Sequence, residues 1–250
     1  MLRVSVVSVA LVALAASGCG GGSRSDAKTR KASVRHCVAG TVQPVGSSDV
    51  AWAAAALRAT TAYRSPGGAV IRRFGRQNVN GATTVFGVLG KRVDAGCRAP
   101  WLHVTLPMRP NGVTGWVRAA DVQQLAVHTR ITVDLSERRV RLYKHGKLVL
   151  SSSAAIGSKA TPTPLGRYYV NQRLIPDDPN GPFGPGAVGI SAFSDVLTGW
   201  TQGGPIAIHG TNEPGSIGHA VSNGCIRLPN TVLRRVFAAA VAGTPVLIRE

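Results

Sequence analysis

The apolar residues of this 250-residue chain occur in short runs between turn-forming residues, and this pattern limits what the chain can fold into. Thirty glycines and fifteen prolines interrupt the sequence. Gly68–Ile71, Thr83–Leu89, Trp101–Leu106 and Gly115–Val117 are typical runs. Runs of this length are characteristic of strands and too short for most helices. With 44% hydrophobic residues, we predict a mainly β fold with a sizeable core.

Residues 127–250 show the same pattern, followed by one helix. Arg139–Tyr143 alternates basic and apolar residues, and Lys147–Leu150 follows after a His-Gly pair, which predicts a hairpin. Pro176–Gly189 is rich in Pro, Gly and Asp and predicts a long loop of the kind that covers functional sites. Thr231–Ala242 is predicted to be a helix, with its first residue as the N-cap.

The first nineteen residues have the layout of a secretory signal, with Arg3 followed by a short apolar run and small residues. The run is shorter than the roughly 20 residues that span a bilayer. Residues 20–36 combine Gly, Ser and charge without apolar periodicity, which predicts a flexible linker over residues 20–48. We therefore expect an exported protein.

The sequence from Ala16 to Cys19 resembles a bacterial lipoprotein box, although the usual box has Leu at the first position. The resemblance implies that Cys19 becomes the lipidated residue, which would anchor the chain at the outer face of the cytoplasmic membrane or in the cell wall. An ordinary cleaved signal is the alternative.

The chain is strongly basic, with a formal net charge of +18. Residues 20–126 carry 15 Lys and Arg against 4 Asp and Glu, whereas residues 127–250 carry 13 against 7. Such a surface attracts polyanions. Export and the lack of a basic helix or aromatic platform argue against nucleic acid. An anionic wall polymer or lipid headgroup is the expected partner, unless the charge serves solubility alone.

The sequence around Cys225 contains the residue types that acyl transfer requires. An apolar run delivers His209, and after a Gly-rich loop Cys225 follows Gly224 and precedes an apolar residue and Arg227. A free thiol has a pKa of about 8.5, and a nearby imidazole can take its proton. Backbone N–H groups near the cysteine could stabilise an oxyanion, and Arg227 could bind a carboxylate.

This segment resembles the L,D-transpeptidase catalytic domain, the YkuD family, with His209 and Cys225 sixteen positions apart and Pro162–Gly166 upstream. The resemblance covers residues 127–250. It implies a β-sandwich with a C-terminal helix, in which the cysteine lies in a groove under a flexible lid.

The resemblance also implies roles for individual residues. Cys225 is the nucleophile, and His209 is the base, oriented by the backbone carbonyl of Gly210. The amides of Gly224 and Cys225 line the oxyanion hole, and Arg227 holds substrate or braces the groove.

The roles of two neighbouring residues, Ser222 and Asn223, have more than one interpretation. Ser222 could bond His209 or the loop, or simply turn the chain. Asn223 stands where the family usually has a second His, and an Asn cannot carry a proton at neutral pH. If that His only polarises or positions groups, the activity of this chain survives, and if it shuttles protons, the activity is reduced or lost. We expect it to survive, because His209 is the base by spacing.

The implied reaction joins two peptidoglycan stem peptides, donor and acceptor, through a thioester on Cys225 and produces a 3-3 cross-link. Water as acceptor would make the protein a carboxypeptidase, and a lipoprotein lysine would make it a tethering enzyme. The reaction uses no metal or organic cofactor, and carbapenems are expected to acylate the thiolate.

Cysteines outside the cytoplasm tend to pair. If Cys225 stays free, Cys37 and Cys97 are the expected disulfide. Residues 49–126 resemble a bacterial Src-homology-3-like barrel, through Trp101 with its following residues and the Gly-Trp-Val sequence at 115–117. For both tryptophans we expect core packing rather than ligand contact.

Two other functions compete. Wall-peptide hydrolases of the NlpC type also use Cys and His, but place the cysteine first in the chain. A wall-binding lipoprotein that lost its activity through Asn223 is the second alternative.

Overall fold

The computed structural model describes residues 37–198 and 204–250. The compact unit runs from Cys37 to Glu250. The predicted signal, the Cys19 lipidation site and the first part of the linker lie outside the described residues. Within those residues, the helices are too short or too polar to cross a membrane.

The mainly β fold predicted from the sequence is confirmed, and most strands belong to two sheets. The N-terminal sheet contains β1 (Val42–Pro44), β2 (Ala51–Ala56), β3 (Thr60–Tyr63), β4 (Val70–Phe74), β5 (Val85–Arg92), β6 (Trp101–Thr105), β7 (Thr114–Arg118) and β8 (Val122–Val127), with a 3₁₀ turn at Ala119–Asp121. Its order is β4-β3-β7-β6-β5-β2-β8, and β1 pairs with β5. Phe86, Leu102 and Val104 are fully buried in its core. Its assignment as a Src-homology-3-like barrel stays a prediction.

The folded part begins earlier than the linker prediction allowed. Val42 pairs with Arg92 in an antiparallel register, so residues 42–44 belong to the sheet. A disulfide joins Cys37 to Cys97, with the two Cα atoms 5.6 Å apart. The pairing of β1 depends on main-chain hydrogen bonds and not on apolar side chains, since Val42 is half exposed. An apolar pattern therefore could not reveal it.

The C-terminal sheet contains the candidate site. Its elements are β9 (Thr129–Asp134), β10 (Arg139–Lys144), β11 (Lys147–Ser153), β12 (Ile156–Gly157), β13 (Gly166–Leu174), β14 (Ala187–Phe193), β15 (Pro205–His209), β16 (Ala220–Ser222), β17 (Ile226–Arg227), α1 (Asn230–Ala239) and β18 (Pro245–Arg249), with a 3₁₀ turn at Pro214–Ser216. The order is β11-β10-β9-β18-β13-β14-β15-β17, and β12 pairs separately with β16. Val140 from β10, Ile208 from β15 and Leu233 from α1 share one core, so this sheet curls around it.

The sequence patterns located these elements with small errors. The turn between β10 and β11 has positive φ at His145 and Gly146, as a tight hairpin turn requires. The loop before β14 is shorter than predicted, because β14 begins at Ala187. The helix begins at Asn230, so the prediction of Thr231 as its N-cap was wrong. Pro229 occupies that position without a side-chain cap.

Tyr169 on β13 joins the two sheets. Its side chain is 3% exposed, and its hydroxyl donates a hydrogen bond of 2.9 Å to the Val85 carbonyl. Burial raises the pKa of Tyr169 well above its usual value, so the phenol stays protonated and remains a donor. A Cβ at Gly87 would lie 2.9 Å from this ring, so the sheets approach closely here.

Candidate active site

Strands β15 and β17 bring the predicted catalytic residues onto one face of the C-terminal sheet. They pair in parallel, with Ile208 opposite Ile226 and His209 opposite Arg227. Both isoleucines are fully buried in the core. Because side chains alternate along a strand, His209 and Arg227 lie on the other face. Cys225 directly precedes Ile226 and shares that face.

The Cys225 thiol is buried beside the start of β15. It is 8% exposed and is the free cysteine of the described part of the chain. Its Sγ lies 4.0 Å from the carbonyl oxygen of Pro205. Burial raises the pKa of this thiol, while the Ala207 amide and the Arg227 charge act in the opposite direction. The resting nucleophile is therefore a protonated thiol.

His209 is held as a neutral base. Its Nδ1 is 2.6 Å from the Gly210 carbonyl oxygen, which can only accept a hydrogen bond. Nδ1 therefore carries the proton, and Nε2 presents a lone pair. Burial lowers the pKa of His209 from 6.5 to about 4, the Gly210 carbonyl raises it, and Arg227 lowers it further. At neutral pH the imidazole is uncharged and able to accept a proton.

Asn230 orients the peptide group that holds His209, a role that the sequence did not reveal. Its Oδ1 accepts a hydrogen bond of 2.8 Å from the Thr211 amide. That N–H and the Gly210 carbonyl belong to the same peptide group, so Asn230 fixes the plane of the carbonyl that binds His209. A Cβ at Gly210 would lie 2.3 Å from this Oδ1, so the position has no room for a side chain.

The turn before Cys225 is closed by Ser222. The Ser222 hydroxyl donates to the Cys225 carbonyl at 2.5 Å and accepts from the Gly224 amide at 3.1 Å. Of the roles left open for Ser222, the structure gives it the bond to the loop. Gly224 has a φ of +105°, which favours glycine.

These contacts change the expectation for the oxyanion hole. The Gly224 amide, predicted to line it, is already bonded to Ser222. The Cys225 amide carries no turn or loop hydrogen bond within residues 37–198 and 204–250. Of the two predicted amides, Cys225 is therefore the one that remains available to an oxyanion.

The upstream segment Thr161–Thr163 forms hydrogen bonds to the same turn. Thr161 Oγ1 donates to the Ser222 carbonyl and Thr163 Oγ1 donates to the Gly224 carbonyl, each at 2.9 Å. Thr163 also accepts from the Gly157 amide at 2.8 Å. A segment about sixty residues upstream thus holds the turn before Cys225 in one conformation.

Arg227 is paired with a residue that sequence analysis missed. Its Nη1 lies 2.5 Å from Glu213 Oε2, and its side chain is 22% exposed against 65% for Glu213. This pairing favours bracing of the groove over the alternative of a free carboxylate-binding cation. Asn223 is exposed at the tip of the turn.

The loop between β13 and β14 covers His209. The Phe183 ring centroid lies 5.0 Å from that of His209 in an edge-on arrangement. Phe183 itself is about half exposed. An aromatic edge held over the imidazole excludes water from one side of the base, as expected of a lid.

A buried thiol, a neutral imidazole with an oriented lone pair and an unused backbone amide are the groups that acyl transfer by a cysteine requires. Residues 128–248 match the family model YkuD, described as the L,D-transpeptidase catalytic domain. The match spans 121 of the 250 residues, a little under half of the chain.

Three similar proteins are named as L,D-transpeptidases. A Bacillus licheniformis protein named as a candidate L,D-transpeptidase, YkuD, is 37% identical over 119 residues, which cover 48% of this chain and 64% of that protein. The Bacillus subtilis protein of the same name is 32% identical over 120 residues, 48% of this chain and 65% of that protein. A solved structure of an Enterococcus faecium L,D-transpeptidase mutant is 27% identical, with 48% and 49% of the chains covered and a TM-score of 0.38. The matches to the two Bacillus proteins thus cover a little less than two thirds of their lengths.

Proposed function

We propose that this chain is an exported L,D-transpeptidase that forms 3-3 cross-links between peptidoglycan stem peptides through a thioester on Cys225. The observation that carries the proposal is the hydrogen bond from His209 Nδ1 to the Gly210 carbonyl. It aims the lone pair of a neutral base into the face that it shares with the buried thiol. The family match over residues 128–248 supports the choice of substrate.

In the first half of the reaction, the Cys225 sulfur attacks the carbonyl carbon of the third residue of the donor stem. Nε2 of His209 takes the thiol proton as the S–C bond forms. The Cys225 amide donates to the oxyanion. The C–N bond to the terminal D-residue then breaks, and its amine leaves with the proton from His209. A thioester remains on the enzyme.

In the second half, a side-chain amine of a neighbouring stem attacks the thioester. His209 accepts the proton from this amine and returns it to the departing sulfur. The product is a 3-3 cross-link, and the thiol is regenerated. Water in place of the amine would give carboxypeptidase activity, and a lipoprotein lysine would give tethering.

The resting pKa values favour proton transfer during attack over a stored ion pair. Burial raises the pKa of Cys225 and lowers that of His209, and both effects oppose a thiolate–imidazolium pair. Arg227 lowers both pKa values, which helps the thiolate and keeps the imidazole neutral. The thiolate therefore forms only as the sulfur attacks, when His209 takes its proton.

We extend the proposal to the location of the protein. Export by the N-terminal signal and lipidation of Cys19 would keep the enzyme at the outer face of the cytoplasmic membrane or in the cell wall. The basic character of residues 20–126 suits an anionic wall polymer or lipid headgroup.

A non-catalytic wall-binding lipoprotein is the second candidate, favoured by Asn223 in place of the family's His and by the raised pKa of the Cys225 thiol. Intact mass spectrometry of the purified chain after incubation with meropenem separates the two functions. We expect one adduct on the wild type and none on Cys225→Ala. A folded wild type without an adduct would exclude the acyl-transfer function and favour wall binding.

A further inference from the structure

A cavity of about 400 Å³ lies between the two sheets, away from the His209 end of the site. From the N-terminal sheet, β4 and the loops around Asn78 and Arg109 line it. From the C-terminal sheet, Asn171 and the strand ends at Phe193 and Pro205 line it. The reaction proposed above makes no use of this cavity.

The walls of the cavity carry positive charge without a compensating carboxylate. Arg72, Arg73 and Arg109 line it, and none of the described lining residues is Asp or Glu. Arg109 is fixed in place, because it donates to the Leu197 carbonyl at 3.0 Å and lies over the Phe193 ring. Arg72 and Arg73 are exposed on β4. Guanidinium groups bind carboxylates through paired hydrogen bonds, so a cavity lined by arginines favours a ligand that carries carboxylates.

Pro205 connects this cavity to the nucleophile. The residue lines the cavity, and its carbonyl oxygen lies 4.0 Å from the Cys225 Sγ. A ligand in the cavity would therefore extend toward the reacting atom along the start of β15. This continuity favours a substrate over an unrelated polyanion.

We propose that the cavity is a binding site for the carboxylate-bearing part of a stem peptide, bound by Arg72 and Arg73. The inference rests on the proposed function and adds to it that the N-terminal sheet forms part of the substrate site. The substrate carboxylates would then be the ligand of the positive charge on the N-terminal sheet.

The test compares two double variants of the full chain. Arg72→Gln with Arg73→Gln removes two charges from the cavity, and Arg64→Gln with Arg167→Gln removes two exposed charges elsewhere. With a soluble stem tetrapeptide as donor, we expect the cavity variant to raise KM about tenfold at unchanged kcat, a loss of about 1.4 kcal/mol in binding. The control variant should stay within twofold of the wild type.

The meropenem reaction separates failure of this inference from failure of the proposed function. If the wild type forms no adduct and turns over no peptide, the proposed function fails first. If the adduct and turnover are present but both double variants have the same KM, the cavity proposal is overturned. It is also overturned if the cavity variant loses only retention on an anionic wall polymer.

A second measurement tests the chemistry of the ligand. A stem peptide whose non-scissile carboxylates are amidated should bind wild type and cavity variant equally, because the guanidinium groups then have no anion to bind. A weaker binding of the amidated peptide to the cavity variant than to the wild type would contradict carboxylate recognition.

Discussion

The two sheets bury different kinds of side chain. Among the described residues, eleven polar or charged residues are buried. Two of them, Thr60 and Thr84, belong to the N-terminal sheet region, and the other nine lie after Val127. Within residues 37–126, none of the ten Lys and Arg or the three Asp and Glu is buried.

The contrast indicates that the N-terminal sheet contributes mainly to stability, whereas the C-terminal sheet carries the polar groups of the candidate site. An apolar core with exposed charge needs no polar network. The C-terminal region buries His209, Thr163, Thr211 and Ser222 around the nucleophile, where each must find hydrogen-bond partners. Such groups hold a base and a turn in fixed geometry, and they perturb pKa values as functional sites commonly do. The predictions below test this division.

Replacing His209 by Gln should have the largest effect. Gln is similar in size but cannot accept the thiol proton, so we expect kcat/KM for stem-peptide transfer to fall about a thousandfold. Single-turnover acylation followed by mass spectrometry measures this. His219→Gln, at an exposed loop position, is the matched control and should retain wild-type rates. Equal loss in both variants would mean that His209 is not the base.

Removing the disulfide should affect the N-terminal sheet and not the chemistry. Because the bond closes a loop with a sequence separation of 60, Cys37→Ser with Cys97→Ser should lower the free energy of unfolding by about 4 kcal/mol. Chemical denaturation measures this. At a temperature where the variant is folded, its rate of acylation by meropenem should match the wild type. A parallel loss of acylation would contradict the division between the sheets.

The buried His209 should make stability depend on pH. Its pKa is about 4 in the folded chain and 6.5 in the unfolded chain, so between these values only the unfolded chain binds the proton. Stability should therefore fall as pH decreases from 6.5 to 4, by about 3 kcal/mol from this group. Urea denaturation of the wild type and His209→Gln across this range isolates the effect. If the free energy of unfolding changed equally with pH in both proteins, His209 would be protonated in the folded chain.

Loss of the Asn230 side chain should have the smallest effect of the four. Asn230→Ala removes the acceptor of the Thr211 amide, so the Gly210 carbonyl and His209 lose their fixed orientation. We expect kcat to fall ten- to a hundredfold, as small displacements of catalytic groups commonly do. Asn230→Asp keeps an acceptor oxygen and should recover most of the rate. A similar loss in Ala and Asp variants would contradict a positioning role.

Several features could be read from the sequence because their signals are local. The hairpin of β10 and β11 is specified by alternation and a His-Gly turn, and the start of β14 was missed by three residues. The helix start was misassigned because Thr231 has a side chain that can cap, whereas the observed N-cap, Pro229, has none, and Asn230 uses its side chain on the Thr211 amide. Strand β1 was missed because it pairs through its backbone.

The amino-acid sequence by itself determined the fold class and predicted a nucleophile and its base, since these depend on residue type, short-range periodicity and a fixed spacing. Tertiary structure alone decided the partners of Ser222 and Arg227, the orienting role of Asn230 and the cavity beside Pro205. The physical reason is that such contacts join residues distant in the chain, and a polar group has many potential partners until the backbone brings one of them within hydrogen-bonding distance.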